Sequence, residues 1–216
     1  MTDFPRVTHI PADYVHNPDL PRCGWAAPND ELYCAYHDLE WGRPIYDAKL
    51  LFSKLIQDGQ QAGLSWITIL RKRDNLLRAY DGFDPDIIAH YTDADRARLL
   101  ADSGIIRSKL KVNAAIHNAQ IFIKMRDEEG LDFSDYLWSF ADPTGTKTPI
   151  QNSWINTADA PVQSLASEAM SKDLKKRGFK FVGPVIIYAF MQAIGMINDH
   201  ITDCHVYETC RDTRKV

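Results

Sequence analysis

Residues 174–184 read LKKRGFKFVGP, and they join a basic segment to the apolar run VIIYAFMQAIGM that follows. Glycine favours the C-terminal end of a helix and proline its first turn, so a helix is predicted to end at Gly178 and another to begin at Gly183–Pro184. Glycines in the short turn between them would let backbone N–H groups approach an anion at the positive end of the second helix.

The flanking segment 172–180 carries five cations against one acid, Asp173; the cations are Lys172, Lys175, Lys176, Arg177 and Lys180. Such a segment can clamp a phosphate backbone. A solvated basic helix with an ordinary glycine turn explains the pattern equally well. A second glycine turn, SGIIRSKLK at 103–111, also precedes basic residues, and there a helix cap with solvated lysines is the favoured interpretation.

Composition bounds the class of protein but leaves its function open. The chain has 216 residues, 45% of them hydrophobic and 25% charged, which predicts one sizeable soluble domain or two small interlocked lobes. No apolar run approaches the ~20 residues of a membrane span, and the first 20 residues lack a signal-peptide core. Four irregularly spaced cysteines predict reduced thiols in a cytoplasmic protein. A net charge of −4 gives no global sign of nucleic-acid binding.

The hydrophobic pattern predicts an all-α fold, because period-2 alternation is scarce. Residues 1–22 contain four prolines and no periodicity, which indicates an irregular arm. Residues 141–154 are predicted to form a loop. Helical patterns cover about 47–58, 65–80, 93–102, 108–127, 132–138, 164–177 and 182–197.

Cysteines and histidines near the two ends of the chain form a candidate metal site. His200 and Cys204 are four residues apart, so a helical turn would place both on one face. Cys23 and His37 would complete a closed, structural zinc site of two sulfurs and two imidazoles. Spacing alone does not decide the matter, since a buried cysteine and a surface histidine that never meet would look the same. The competing ligands are Cys34, Cys210, His117 and His205.

Aromatic residues are dense in the first third of the chain: Trp25, Tyr33, Tyr36, Trp41 and Trp66. Most aromatic side chains belong to a core. The segment LIQDGQQAGLSW at 55–66, however, interrupts a helical pattern with Asp58, glycines and glutamines before Trp66. An acid among aromatic rings would suit a planar or cationic guest.

Taken together, these segments closely resemble the family of bacterial type I 3-methyladenine DNA glycosylases. The resemblance covers about residues 21–207, and we expect a single glycosylase domain over 21–210 that follows an arm at 1–20. The matching words are RCGW (22–25), AYHDLEWG (35–42), GQQAGLSWITIL (59–70), GIIR (104–107), LWSF (137–140), LKKRGFKFVG (174–183), YAFMQAIG (188–195) and NDH (198–200).

The resemblance implies a helix–hairpin–helix glycosylase fold with a structural zinc ion that joins the N- and C-terminal segments. The zinc ligands it implies are Cys23, His37, His200 and Cys204. The hairpin would grip DNA phosphates through Lys175, Lys176, Gly178, Lys180 and Gly183. Gly63–Leu64 would fill the gap left in the duplex by the extruded base.

The implied base pocket consists of Tyr33, Tyr36, Trp41, Trp66 and the acid at position 58. The family usually has glutamate there, whereas Asp58 is one methylene shorter, so we expect retained recognition with altered affinity. The implied activity is hydrolytic excision of 3-methyladenine from double-stranded DNA by a monomer, with Asp58 as the catalytic carboxylate that contacts the base and no lyase step. Asp199 follows the hairpin, but it lies beside a predicted zinc ligand, so capping or support of His200 is favoured over a catalytic role.

Two other functions stay open at this point. A zinc-stabilised helical domain could bind alkylated or abasic DNA without excision. A small-molecule or thiol-dependent enzyme is the second alternative, and it would not need the basic hairpin.

Overall fold

Helices make up nearly all of the regular structure in the computed structural model, which describes residues 9–211. They are α1 (Glu31–Leu39), α2 (Ala48–Gln61), α3 (Trp66–Arg71), α4 (Arg73–Ala79), α5 (Pro85–Ile88), α6 (Asp93–Ala101), α7 (Lys109–Asp127), α8 (Phe133–Trp138), α9 (Leu165–Arg177), α10 (Pro184–Ala193) and α11 (Tyr207–Arg211). Two 3₁₀ turns lie at Asp81–Phe83 and Thr157–Asp159. The strands β1 (Ile150–Gln151) and β2 (Ile197–Asn198) form one short parallel pair. The predicted predominance of helix is confirmed.

Helix α2 is the centre of the core. It begins at the cap Asp47, whose side chain accepts a hydrogen bond from the backbone N–H of Leu50, and it packs against α3, α7, α8 and α10. Every residue from Leu51 to Gln60 is buried, so no face of this stretch reaches solvent. Its polar side chains must therefore find partners inside the protein, or face a cavity.

The predicted pair of helices around the glycine turn is confirmed as α9 and α10. Gly178 ends α9 with φ of 101°, a left-handed conformation that glycine adopts without strain. The turn is fixed to α7 by Asn118, whose side chain accepts from Lys180 N–H at 2.8 Å and donates to Lys180 C=O at 3.0 Å. Helix α10 is shorter than the predicted 182–197, because the chain turns sharply at Gly195 (φ 68°). A Cβ at Gly195 would lie 2.4 Å from the backbone of Arg43 and Pro44.

Three local predictions were wrong. The helix expected at 65–80 is divided into α3 and α4 by Lys72, which has φ of −101° and ψ of 1°. Helix α1 was missed; it is short, and it buries the polar residues His37 and Asp38 together with its apolar ones. The loop expected at 141–154 contains β1 and a bridge from Trp154 to Ile201.

The N-terminal and C-terminal segments meet on α1. Tyr14 donates to Asp38 at 2.9 Å, and the Arg22 guanidinium lies 2.6 Å from the same carboxylate. His205, near the C-terminus, is 2.9 Å from Asp38 on the other oxygen. Residues 9–22 contain no helix or strand, as predicted for that part of the arm, while residues 1–8 lie outside the described range. Among the described residues, no helix has the length and apolar character that a membrane crossing requires.

Candidate functional site

The four residues expected to bind metal come together in a buried cluster. Their ligand atoms all lie within 4.8 Å of one another. The Sγ atom of Cys204 is 3.4 Å from His200 Nδ1 and 3.6 Å from His37 Nε2, and Cys23 Sγ is 3.5 Å from His200 Nδ1. The segment between the arm and α1, α1 itself and the segment after β2 each contribute to this cluster.

These distances fit a tetrahedral ion. Zinc lies about 2.3 Å from sulfur and about 2.0–2.1 Å from nitrogen, which separates a sulfur from a nitrogen by about 3.6 Å at the tetrahedral angle. The three separations of 3.4 to 3.6 Å agree with that value. Four protein ligands leave no open position, so the geometry suits a structural metal.

Hydrogen bonds orient both imidazoles toward the cluster. His37 Nδ1 is 2.8 Å from Asp38 Oδ1, which leaves Nε2 for the metal. His200 Nε2 is 3.2 Å from the backbone oxygen of Trp41, which leaves Nδ1. Burial opposes protonation of His37, but the hydrogen bond with Asp38 raises its pKa overall. A carboxylate behind a ligating histidine is a common feature of zinc sites.

Of the competing ligands, Cys34 and Cys210 lie outside the metal cluster, whereas His205 belongs to an adjoining group. Cys34 Sγ donates to the backbone oxygen of Ala27 at 3.4 Å, and neither Cys34 nor Cys210 joins a group with metal-ligand spacing in residues 9–211. His205 does form a second such group, with His37 and Asp38. Because that group shares His37 with the main cluster, the two cannot be filled independently.

Next to the cluster lies a cavity of about 250 Å³ with aromatic walls. All four predicted aromatic residues line it, and Trp25 joins them; the set is Trp25, Tyr33, Tyr36, Trp41 and Trp66. The rings of Tyr36 and Trp66 lie 5.4 Å apart and tilted by 42°. Trp41 also contacts the His200 ring edge-on at 4.5 Å, so one wall of the cavity leans on the metal cluster.

Asp58 and Lys54 occupy the α2 side of this cavity. They are one helical turn apart, both are 3% exposed, and the Lys54 ammonium is hydrogen-bonded to Asp58 Oδ1. The same ammonium lies 4.1 Å from the centre of the Trp66 ring. Burial raises the pKa of Asp58 and lowers the pKa of Lys54, and the attraction between the two charges opposes both shifts.

Two polar atoms at the cavity have no hydrogen-bond partner among the described residues. They are Asp58 Oδ2, an acceptor, and Trp66 Nε1, a donor. An unpaired buried polar group costs about 1–3 kcal/mol, so such atoms are uncommon in a finished core. Gln60 Oε1 and His16 Nδ1 are also unpaired among the described residues but lie outside this cavity, whereas Asp58 and Trp66 line it, where a bound ligand could supply the missing partners.

Asp199 also lines the cavity, and its expected role in supporting His200 was wrong. Its Oδ1 accepts from Asn152 and Trp154, both at 2.7 Å, and its Oδ2 accepts from Tyr188 at 2.6 Å and Gln192 at 2.7 Å. Four neutral donors therefore hold the carboxylate, and no cation within residues 9–211 forms an ion pair with it. Asn198, not Asp199, accepts from the backbone N–H of His200.

The basic turn presents its lysines to solvent. Lys175, Lys176 and Lys180 are exposed and take part in none of the ion pairs found within residues 9–211. Arg177, counted among the cations of this segment, is instead paired with Glu129 at 2.7 Å and Asp173 at 3.1 Å. A Cβ added at Gly183 would meet nothing within 4 Å, so this face is open to a partner's close approach.

The turn after α2 also faces outward. Gly63 adopts φ of 77° and an added Cβ there would meet no atom within 4 Å. Leu64 is 40% exposed, which is high for a leucine next to a buried helix. The structure thus places this apolar side chain at the surface, as an inserting residue requires.

The sequence did not place three polar residues, Lys54, Gln192 and Asp199, at the cavity. Lys54 lies within a helical pattern where a lysine is expected to face solvent, and only its i,i+4 spacing to Asp58 hinted at a pair. Gln192 and Asp199 come from segments far from the aromatic words, so only the tertiary fold brings them to the cavity.

The aromatic cavity beside a closed Cys/His cluster and the helical fold agree with comparisons against known proteins. Residues 25–207 match the family model for methyladenine glycosylase. The chain is 46% identical over 188 residues to DNA-3-methyladenine glycosylase 1 of Escherichia coli K12, covering 87% of this chain and 97% of that one. It is 43% identical over 183 residues to DNA-3-methyladenine glycosylase of Haemophilus influenzae, covering 85% and 96%.

Solved structures give the same result. A crystal structure of 3-methyladenine DNA glycosylase I superposes with a TM-score of 0.81 at 46% identity, covering 86% of this chain and 98% of that chain. A variant of such an enzyme in complex with 3-methyladenine superposes with a TM-score of 0.78 at 35% identity, covering 85% and 95%. The fold and these relatives define a DNA glycosylase. The chain belongs to the methyladenine glycosylase family.

Proposed function

We propose that this protein excises 3-methyladenine from alkylated double-stranded DNA by hydrolysis and leaves an abasic site. The observation that carries the proposal is the unpaired Asp58 Oδ2 at a cavity walled by aromatic rings. Relatives at 43% and 46% identity bear the name of this activity.

The pocket suits an extruded, alkylated purine. Rings such as Tyr36 and Trp66 can stack on a planar base, and stacking on a cationic base gains further attraction. Asp58 Oδ2 can accept a hydrogen bond from an amino group of the base, and Trp66 Nε1 can donate one. Extrusion costs a few kcal/mol and less for a damaged base, which favours the lesion from the start.

Alkylation at N3 places positive charge on adenine and weakens its bond to the deoxyribose. The base then departs as a neutral molecule, so the protein must mainly extrude it, orient it and admit water to the sugar carbon. Asp58, through its hydrogen bond to the base, holds the base in the geometry for departure. This reaction is monofunctional: the abasic product forms without a lysine Schiff base.

The α9–α10 turn supports a helix–hairpin–helix contact with DNA. Exposed Lys175, Lys176 and Lys180 would neutralise phosphates, and the N–H groups at the start of α10 would donate to one of them. Leu64 would enter the space that the extruded base vacates. A single chain carries all of these groups, so we propose that the protein acts as a monomer, in the cytoplasm.

The Cys/His cluster fits one structural zinc ion held by Cys23, His37, His200 and Cys204. Zinc would tie residues near position 23 to those near position 204 and take no part in the chemistry. Without metal, the hydrogen bond from the Cys23 thiol and both imidazoles hold the pKa of Cys204 well below its usual range, whereas the pKa of Cys23 is raised. Binding of the metal would leave both sulfurs as thiolates.

Incubation with methylated duplex DNA, followed by chromatography of the released bases, tests the proposal. We expect free 3-methyladenine well above a heat-inactivated control. Absence of release together with tight binding to the methylated duplex would support the alternative function, a DNA-binding protein that recognises the lesion without excising it. Absence of both would leave only the small-molecule alternative.

A further inference from the structure

The Lys54 ammonium lies where a cationic base would be attracted most strongly to the cavity. The Lys54 ammonium is bonded to Asp58 Oδ1 and lies 4.1 Å from the centre of the Trp66 ring. Those two groups are the pocket's carboxylate and its stacking ring. Lys54 is 3% exposed, so water does not screen its charge appreciably.

The charges on this side of the cavity balance. Asp58 and Glu40 contribute −2, and Arg73 and Lys54 contribute +2, with Arg73 bonded to Glu40 at 2.6 Å and 2.7 Å. Without Lys54 the same set would carry −1. Coulomb energies between buried charges are several times larger than in water, so the charge of Lys54 opposes the binding of a cationic base on this side of the cavity. The remaining carboxylate, Asp199, lies on the opposite elements and is engaged by four neutral donors.

Lys54 also has unused donor capacity. An ammonium carries three N–H donors. Within the described residues, Lys54 Nζ makes one hydrogen bond, to Asp58 Oδ1. An uncharged purine with a ring nitrogen or carbonyl oxygen directed toward Nζ could accept a second one. A cationic base would instead be repelled by the same atom.

We propose that Lys54 is a specificity-determining residue: it weakens the preference of the pocket for a cationic base and admits uncharged modified purines whose acceptor atom faces its ammonium. The proposal rests on the proposed function only in placing an extruded base in this cavity. The cost of burying an ammonium, reflected in the lowered pKa of Lys54, is consistent with a functional position.

The test compares wild type with Lys54→Met, which keeps most of the length of the side chain and removes its charge. Single-turnover excision is measured on duplexes that contain either 3-methyladenine, a cationic base in DNA, or hypoxanthine, an uncharged purine with a carbonyl acceptor. We expect the ratio of the 3-methyladenine rate to the hypoxanthine rate to rise at least tenfold in Lys54→Met. A change of less than threefold would overturn the proposal.

Controls separate charge from damage to the fold. Lys49→Met removes a lysine from the same helix that is half exposed and paired with Asp84 and Asp86, and it should leave the ratio unchanged. Lys54→Arg keeps the charge and should preserve the wild-type ratio. If Lys54→Met fails to fold, Lys54→Gln replaces it, since glutamine keeps a donor without the charge.

A binding measurement keeps the result distinct from failure of the proposed function. Quenching of tryptophan fluorescence by free hypoxanthine reports on the cavity even if no base is excised. We expect binding at least tenfold weaker in Lys54→Met than in wild type. Equal affinity, or no binding by wild type, would contradict the role of Lys54 whatever the outcome of the excision assay.

Discussion

The Cys/His cluster and the aromatic cavity share a wall, yet they differ in whether their polar atoms have hydrogen-bond partners. In the cluster, both nitrogens of His37 and His200 have partners, and Asp38 is held by Tyr14, Arg22 and His205. In the cavity, Asp58 Oδ2 and Trp66 Nε1 have none among the described residues. A fully paired site holds a structure together, whereas a site with unpaired groups is built for a partner that arrives later.

Trp41 connects the two regions. Its ring lines the cavity and contacts His200 at 4.5 Å, while its backbone oxygen is bonded to the same imidazole. Gly42 follows with φ of 80°, and a Cβ there would lie 2.7 Å from His200 Nε2. Loss of the metal is therefore expected to disturb the cavity, while loss of a cavity side chain should leave the cluster intact.

The largest effect is expected from Cys204→Ala, which removes a metal ligand. Structural zinc contributes on the order of 10 kcal/mol in small domains, so a loss of about 5 kcal/mol or more and a Tm decrease of roughly 10–20 °C are expected. Elemental analysis should show near-stoichiometric zinc in wild type and almost none in the variant.

Cys210→Ala is the matched control, since Cys210 is also buried but lies outside the ligand set. It should keep its zinc and lose only about 1 kcal/mol for a small cavity. Equal zinc content in the two variants would contradict the structural role given to Cys204.

Substitutions in the basic turn are expected to weaken DNA binding without affecting the stability of the fold. Replacement of Lys175 and Lys176 by glutamate should weaken DNA binding roughly 10- to 100-fold at ~0.1 M salt. The slope of log affinity against log salt should fall by about 2, because two phosphate contacts are lost. Zinc content and Tm should stay near the wild-type values, which fluorescence anisotropy and thermal melting would check.

Lys49→Glu serves as the control for charge, because Lys49 is already paired with Asp84 and Asp86. An equal loss of DNA affinity in Lys49→Glu would mean that net charge, rather than the α9–α10 turn, governs binding.

The smallest effect is expected from Gly183→Ala. The backbone there has φ of −64° and the added Cβ meets no atom of the protein, so stability should be unchanged or slightly higher. A methyl group would nevertheless block the close approach of a phosphate to the turn. We expect a DNA affinity about 5- to 10-fold lower, equivalent to one hydrogen bond of about 1 kcal/mol. Unchanged affinity would remove the backbone of this turn from the DNA contact.

The sequence predicted the cluster better than the cavity for a physical reason. Metal ligands must be Cys, His or carboxylate, so the sequence limits the candidates to a few cysteines and histidines, and the family resemblance selects Cys23, His37, His200 and Cys204 among them. Gly178 and Gly183–Pro184 were equally informative, because helix ends depend on local chemistry. In the structure the four side chains lie together, α9 ends at Gly178 and α10 begins after Gly183.

The charge state of the cavity could not be predicted in the same way. A lysine in a helix is expected to face solvent, and only the burial of every residue from Leu51 to Gln60 forces Lys54 inward. Asp199 was assigned to the neighbouring His200 because the two are adjacent in sequence. Its true partners come from Asn152, Trp154, Tyr188 and Gln192, which only long-range packing brings together.

Single-turnover release of 3-methyladenine by wild type and by Asp58→Asn tests most directly whether the aromatic cavity, with its unpaired Asp58 oxygen, is the site of excision. The substitution keeps the size of the side chain but replaces the carboxylate that the base would contact. Wild type should release the base, and Asp58→Asn should do so at least about tenfold more slowly, with unchanged zinc content. Release by Asp58→Asn at the wild-type rate would contradict the role of Asp58 and, with it, the assignment of this cavity as the site of excision.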